Sequence, residues 1–177
     1  MKLTFTLISL LFSLLCKAQT KKETEDWIVS KLAKYKEINY TADKQAGSGA
    51  SSKLTSIKLS DCQLEVIETN EDHRRDNDGK KQNFKSTNTI KIPIHDLKEI
   101  SYDDSGRQLK FETNKNTISW KVIDPSFPPN NETTYESFIF FKINLNTEEN
   151  LYNRLSKAFD HLRKNYCSKS NAKTESF

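Results

Sequence analysis

Residues 137–166 read SFIFFKINLNTEENLYNRLSKAFDHLRKNY, and the fold turns on how this stretch divides. Its first part, Ser137–Ile143, sets Phe138, Ile139, Phe140 and Phe141 in succession, apolar on both faces of an extended chain. That is the pattern of a strand inside a sheet, and it predicts a central strand. The second part has helical period. Asn146 precedes Glu149 at capping distance, and Leu151, Leu155, Ala158, Phe159, Leu162 and Tyr166 recur along one face. Glu148 and Glu149 at the start, with Arg163 and Lys164 in the last turn, complement the helix dipole. A helix with a single apolar stripe needs a surface to lie on, because alone it is marginal in water.

The upstream sequence offers that surface. Six further strands are predicted from alternation and turn residues: Leu54–Leu59, Cys62–Glu68, Thr87–Ile94, Glu99–Asp103, Gln108–Thr113 and Thr117–Ile123. Turns are expected at Ser60-Asp61, at Asp103-Asp104-Ser105-Gly106 and at Asn114-Lys115-Asn116. Pro93 implies that the third strand lies at an edge or ends there. Bulky Trp120, Phe138, Phe140 and Phe159 are expected to fill the interior. Two insertions read as solvent-exposed loops: the charged run Thr69–Ser86, and Asp124–Glu136 with Pro125, Pro128 and Pro129.

Toward the N-terminus, Trp27, Ile28, Leu32 and Tyr35 recur at helical intervals. Thr20 with Glu23 has capping-box spacing, although Thr24 is an alternative start. A short extended piece is expected at Ile38–Thr41. Gln45–Ser52 is small and polar and reads as a linker, which would make the first helix an accessory element.

The first residues give an address. Lys2, the apolar run Leu3–Leu15 and the small residues of Cys16-Lys17-Ala18 before Gln19 have the layout of a cleaved secretory signal. A lipid anchor at Cys16 is disfavoured, since bulky Leu15 stands where lipoprotein signals favour Gly, Ala or Ser. The expected divisions are thus a signal peptide at 1–18, a helix and linker at 19–52, a barrel with its terminal helix at 53–167, and a disordered tail at 168–177. Removing Lys2 and Lys17 lowers the formal net charge from +4 to +2. So even a balance argues against nucleic acid as a partner, and no later segment is apolar enough to span a membrane. Cys62 and Cys167 remain after cleavage, and in an exported chain an even pair reads first as a disulfide, with two separate thiols as the alternative.

Catalytic and metal chemistry find little support. No Gly-x-Ser-x-Gly elbow occurs. His95-Asp96 could pair as base and orienter but reads as a surface turn, and His161 reads as a partly buried structural residue. His73 lies in the charged run. Asp76-Asn77-Asp78-Gly79 resembles part of a calcium loop, yet Arg74 and Lys85 occupy ligand positions, so a charged hairpin tip is expected. No cofactor and no metal site are expected.

Seven antiparallel strands followed by one amphipathic helix resemble the pleckstrin-homology-like fold. This implies an α+β architecture in which a bent sheet forms a partly open barrel capped by the C-terminal helix. A lipocalin-like barrel or an α+β roll are the alternatives. The basic first hairpin used for phosphoinositides in that fold has no counterpart here, since Ser60-Asp61 is short and acidic, and Lys53 and Lys58 are too few. The signal ending Lys17-Ala18-Gln19, the helix Glu23–Leu32 and the helix Arg154–Leu162 also resemble uncharacterised small secreted proteins of Bacteroidota, which implies export and a shared fold. The function expected is a non-enzymatic, exported protein- or peptide-binding or scaffold module, its partner another envelope or extracellular protein. A small-ligand carrier with a cavity in the barrel is the alternative.

Overall fold

The structure is a computed structural model that describes residues 20–35, 40–42, 49–75, 81–105, 107–125 and 130–168. The expected signal peptide with Cys16, the first half of the expected linker, the tip of the charged run and most of the tail lie outside the described residues. So do Pro128 and Pro129.

Thr20 caps the first helix, α1 (Lys21–Tyr35). Its backbone N–H donates to Glu23 Oε2 at 2.9 Å, and Glu23 N–H donates to Thr20 Oγ1 at 3.2 Å, the reciprocal pair of a capping box. Thr24, Glu25, Ile28 and Leu32 form its buried face. Ile28 and Leu32 belong to the same apolar cluster as the strands, so α1 is part of the core and not an accessory.

Nine strands follow α1 among the described residues: β1 (Tyr40–Ala42), β2 (Gly49–Ser60), β3 (Gln63–Arg75), β4 (Lys81–Pro93), β5 (Leu97–Asp103), β6 (Gln108–Thr113), β7 (Ile118–Asp124), β8 (Asn130–Glu136) and β9 (Phe138–Lys142). They form two antiparallel sheets, one ordered β1-β2-β3-β4-β7-β8 and the other β5-β6-β9. Each of the seven predicted strands has a counterpart, but β1 and β8 raise the count. Neither sheet closes into a barrel. The strands do not run as one meander: β4 pairs with β7 across the inserted β5–β6 hairpin, and β6 pairs with β9 across β7 and β8.

Three stretches read as loops or linker belong to the first sheet. Gly49–Ser52 opens β2, and Asn130–Glu136 is β8. The charged run extends β3 to Arg75 and starts β4 at Lys81, in a hairpin ladder from Gln63↔Pro93 to Arg75↔Lys81. Its mixed signs suit cross-strand pairing: Glu71 lies opposite Lys85 with a nitrogen–oxygen distance of 3.5 Å, and just beyond the run Glu65 lies opposite Lys91 at 3.4 Å. The β4 strand ends at Pro93, in the middle of its sheet order.

The β2–β3 turn is Asp61-Cys62, one residue later than expected, with both φ angles positive at 49° and 57°. Such two-residue turns match the twist of the flanking strands, but a β-carbon in this conformation costs about 1–2 kcal/mol. Two attachments hold Cys62 there. Its carbonyl accepts Ile94 N–H at 2.8 Å, and its sulfur is bonded to Cys167, with the Cα atoms 5.5 Å apart.

The terminal helix, α2 (Leu151–Asn165), begins at Leu151. Asn150 precedes it with φ 53° and no side-chain cap, while Asn146 N–H bonds to Asn144 Oδ1 in the preceding turn. Leu151, Leu155, Phe159 and Leu162 are buried as the periodicity requires. Phe159 meets Phe111 edge-on at 5.4 Å, and Phe111 meets Phe141 at 5.8 Å. The interior is therefore filled by Phe111, Phe141 and Phe159. Phe138 and Phe140, expected inside, are 48% exposed.

Polar contacts fix the helix along its length. Tyr152 Oη donates to Ile100 O at 2.9 Å and Arg163 donates to Leu97 O at 2.6 Å. Lys31 of α1 donates to Glu148 at 2.7 Å, Arg154 pairs with the same carboxylate, and both cations lie within 6 Å of the Trp27 ring centre.

Two stability predictions follow from these attachments. A Cys62→Ser, Cys167→Ser variant should lose about 4 kcal/mol, because the bridge closes a loop of sequence separation 105; denaturant unfolding reads this directly. Glu25 is buried, with Lys21 Nζ 3.9 Å away. Burial raises its pKa above the ordinary range; Lys21 and Lys22 oppose the rise and Asp61 adds to it. A carboxyl raised in the folded state contributes stability below its unfolded pKa, and that contribution is lost as pH rises through the folded value. Glu25→Gln should therefore raise the Tm at pH 7, and calorimetry at pH 4 should find the gain largely gone.

Candidate functional site

Strand β9 carries the sequence of a central strand but is the last strand of its sheet. The order β5-β6-β9 leaves its outer side unpaired among the described residues. Pairing alternates along it. Thr113 N–H donates to Ser137 O and Ile143 N–H donates to Arg107 O, so the odd-numbered residues turn their peptide groups toward β6. The peptide groups of Phe138 and Phe140 face the open edge. Their side chains stand on the outer face, while Ile139 and Phe141 point into the core.

This edge continues into the other sheet. Strand β8 closes the order β1-β2-β3-β4-β7-β8, and a single residue, Ser137, separates β8 from β9. Thr113 Oγ1 donates to Ser137 O at 3.1 Å and ties the corner down. Residues 131–142 thus run as one bent, outward-facing edge. Its β8 part is polar, with Tyr135 61% exposed; its β9 part is aromatic.

Fixed charges back the aromatic pair. On the outer face of the second sheet, Lys110 lies opposite Phe140, and Glu112 lies opposite Phe138. Lys98 and Lys110 both donate to Glu112 at 2.5 Å, and Lys110 Nζ also sits 5.2 Å from the Phe138 ring centre. The rings of Phe138 and Phe140 meet edge-on at 5.6 Å. The patch is held in one arrangement by a cation–π contact and an ion pair behind it.

Other candidates do not assemble into a site. His95 lies in the 3₁₀ turn Ile94–Asp96, exposed, with Nε2 3.4 Å from Asp96 Oδ2. Asp96 O meanwhile accepts Asn114 N–H, which ties two turns together. His161 packs edge-on against Tyr166 and contacts Asn165 through Nδ1. His73 is a residue of β3, and the Asp76–Gly79 segment lies outside the described residues. Glu68 is raised in pKa by burial, while its bond from Asn88 opposes the rise; the two face each other across β3 and β4 where the apolar inner face ends. Among the described residues no three His, Cys, Asp or Glu side chains come together as for a metal ion. No helix among them is long and apolar enough to cross a membrane.

A surface cleft of about 340 Å³ lies at the start of α2, lined by Tyr102, Asp104, Asn146, Glu148 and Glu149 among others. A smaller one of about 240 Å³ lies between β5 and α2 beside Lys98, Asp160 and Arg163. Both are open notches at the rim of the helix, the second reaching Phe159 at the border of the aromatic interior.

Sequence reasoning placed Phe138 and Phe140 on the right strand and on the wrong side of the surface. The signal that could have exposed this is the pair of charges on β6, Lys110 and Glu112. They alternate with Leu109 and Phe111 and mark the face on which the neighbouring strand's even residues must lie.

Glu112 provides a direct check of the charged backing. Hydrogen bonds from Lys110 and Lys98 lower its pKa to about 2 from 4.5. A carboxyl depressed in the folded state contributes stability above its unfolded pKa, and loses it as pH falls through the folded value. Carbon-detected NMR should show Glu112 titrating near pH 2, and Lys110→Met should move the midpoint up toward the ordinary range.

No protein-family model, curated protein or solved structure matches the chain.

Proposed function

We propose that this protein is an exported, non-enzymatic binding module that takes an extended segment of a protein chain as a fourth strand on β9. The single observation behind this reading is the mismatch between the strand's sequence and its position. An apolar, uncovered edge is a liability that folded proteins normally blunt with charge, proline or a covering element. Here Phe138 and Phe140 present side chains on the outer face and peptide groups on the edge, the two components of recognition by strand addition. Main-chain hydrogen bonds would supply affinity, and the alternate aromatic positions would supply selectivity.

Export is part of the same proposal. It is supported by the signal-like residues 1–18 and by the Cys62–Cys167 disulfide, which is consistent with an oxidising compartment. The order of sheets followed by a helix packed on them supports relating the architecture to the pleckstrin-homology-like group. The pairing of β4 with β7 departs from a plain meander.

The test uses hydrogen exchange with a five-residue peptide alternating threonine and phenylalanine as the probe. Saturating peptide should slow exchange at the amides of Phe138 and Phe140, and the same peptide N-methylated on its donor residues should not. A Phe138→Ser, Phe140→Ser variant should keep its stability within about 1 kcal/mol, since both side chains are half exposed, while losing the protection. Unchanged exchange in the wild-type protein at millimolar peptide overturns the reading.

A further inference from the structure

We infer that the chain occupying this edge is a second copy of the same protein, paired antiparallel through residues 136–142. This rests on the reading of β9 as a docking edge and adds the identity of the occupant. The edge is complementary to itself. Read along the edge, the sequence is Glu136-Ser137-Phe138-Ile139-Phe140-Phe141-Lys142, with an acid at one end, a base at the other and two phenylalanines between. A two-fold axis at Ile139 places Phe138 opposite Phe140 of the second copy, twice. It also brings Glu136, the last residue of β8 and one residue beyond the bend at Ser137, beside Lys142 of the second copy, twice. The aromatic and the charged positions thus each meet a complement, while Ser137 falls opposite Phe141.

Backbone geometry selects the same register. Strand addition requires the outward peptide groups of both strands to face each other, which restricts pairing to even residues opposite even residues. A one-residue slip would oppose even to odd and lose the hydrogen bonds. The next allowed register, with Phe140 opposite Phe140, sets Lys142 against Phe138 and leaves Glu136 opposite Asn144. A parallel arrangement brings like charges alongside like and does not close as a two-fold dimer. The register centred on Ile139 thus uniquely matches both charge and aromatic surface.

The two Phe138–Phe140 pairs would gather four rings into one outer-face cluster. Lys110, already over Phe138 at 5.2 Å, would flank it on each side. Tyr135, on the adjoining strand and 61% exposed, extends the surface beyond the paired residues. An interface built on seven residues a side falls with transient associations, below about 1,200 Å² of total buried area. The dimer is therefore a concentration-dependent species.

The experiment is sedimentation equilibrium on the mature full chain from about 10 µM to about 1 mM. Wild-type protein should pass from monomer to dimer across this range. Glu136→Lys alone and Lys142→Glu alone should each weaken association by about tenfold or more, since two cross-strand pairs become repulsive. An equimolar mixture of these two variants should recover it, because each interface pair is then again opposite in charge. The double variant Glu136→Lys, Lys142→Glu should also recover it. A geometric readout is independent of charge: Phe138→Cys chains mixed with Phe140→Cys chains should form an intermolecular disulfide, and neither alone should do so efficiently. Circular dichroism keeps folding separate from association.

A wild-type chain that stays monomeric across the range overturns the second copy as occupant. So does a dimer indifferent to the charge reversals. If the alternating peptide still protects Phe138 and Phe140 in such a chain, the docking edge stands and only its occupant changes. If the peptide fails too, both readings fall together.

Discussion

The buried face of α2 is the constraint on which the rest of the molecule depends. Leu151, Leu155, Phe159 and Leu162 must leave water together, since one helix presents them at a single rotation. Phe159 reaches Phe111 of the second sheet, and α2 also packs against α1 and the chain around Ile94. Three separate elements are therefore assembled by one stripe. The disulfide then fixes the far end of the helix to the β2–β3 turn, beyond the cap where Tyr166 and Cys167 N–H both donate to Leu162 O.

Much of this was legible in the residues. The helical spacing of Leu151 to Leu162, the capping pair Thr20 and Glu23, and the alternation of Leu109 and Phe111 each report a local rule that the tertiary structure obeys. The Cys62–Cys167 pairing followed from their being the two cysteines past the signal-like segment. What was not legible depends on pairing partners. Thr69–Arg75 and Lys81–Ser86 have no apolar alternation, and they become strands by pairing with each other, with Glu71 matched to Lys85. Sequence spacing within one segment carries no information about the charge that will lie opposite it.

The error on β9 has a different origin and says more. Four consecutive apolar residues, Phe138 to Phe141, satisfy the rule for a strand covered on both faces. The rule misleads here because only one face is covered: β9 ends its sheet, and Phe138 and Phe140 are half exposed. Half of the strand's apolar side chains serve the core through Ile139 and Phe141, and half face outward over Lys110 and Glu112. A single short segment thus serves the core with one face and lies open to solvent with the other.

The crossed pairing of the two sheets has a kinetic meaning. The β4–β7 ladder closes a loop that contains β5 and β6, and the β6–β9 ladder closes one that contains β7 and β8. Each closure passes through strands owned by the other, so neither sheet can be excised by a cut in the chain. Contacts of this separation are slow to form.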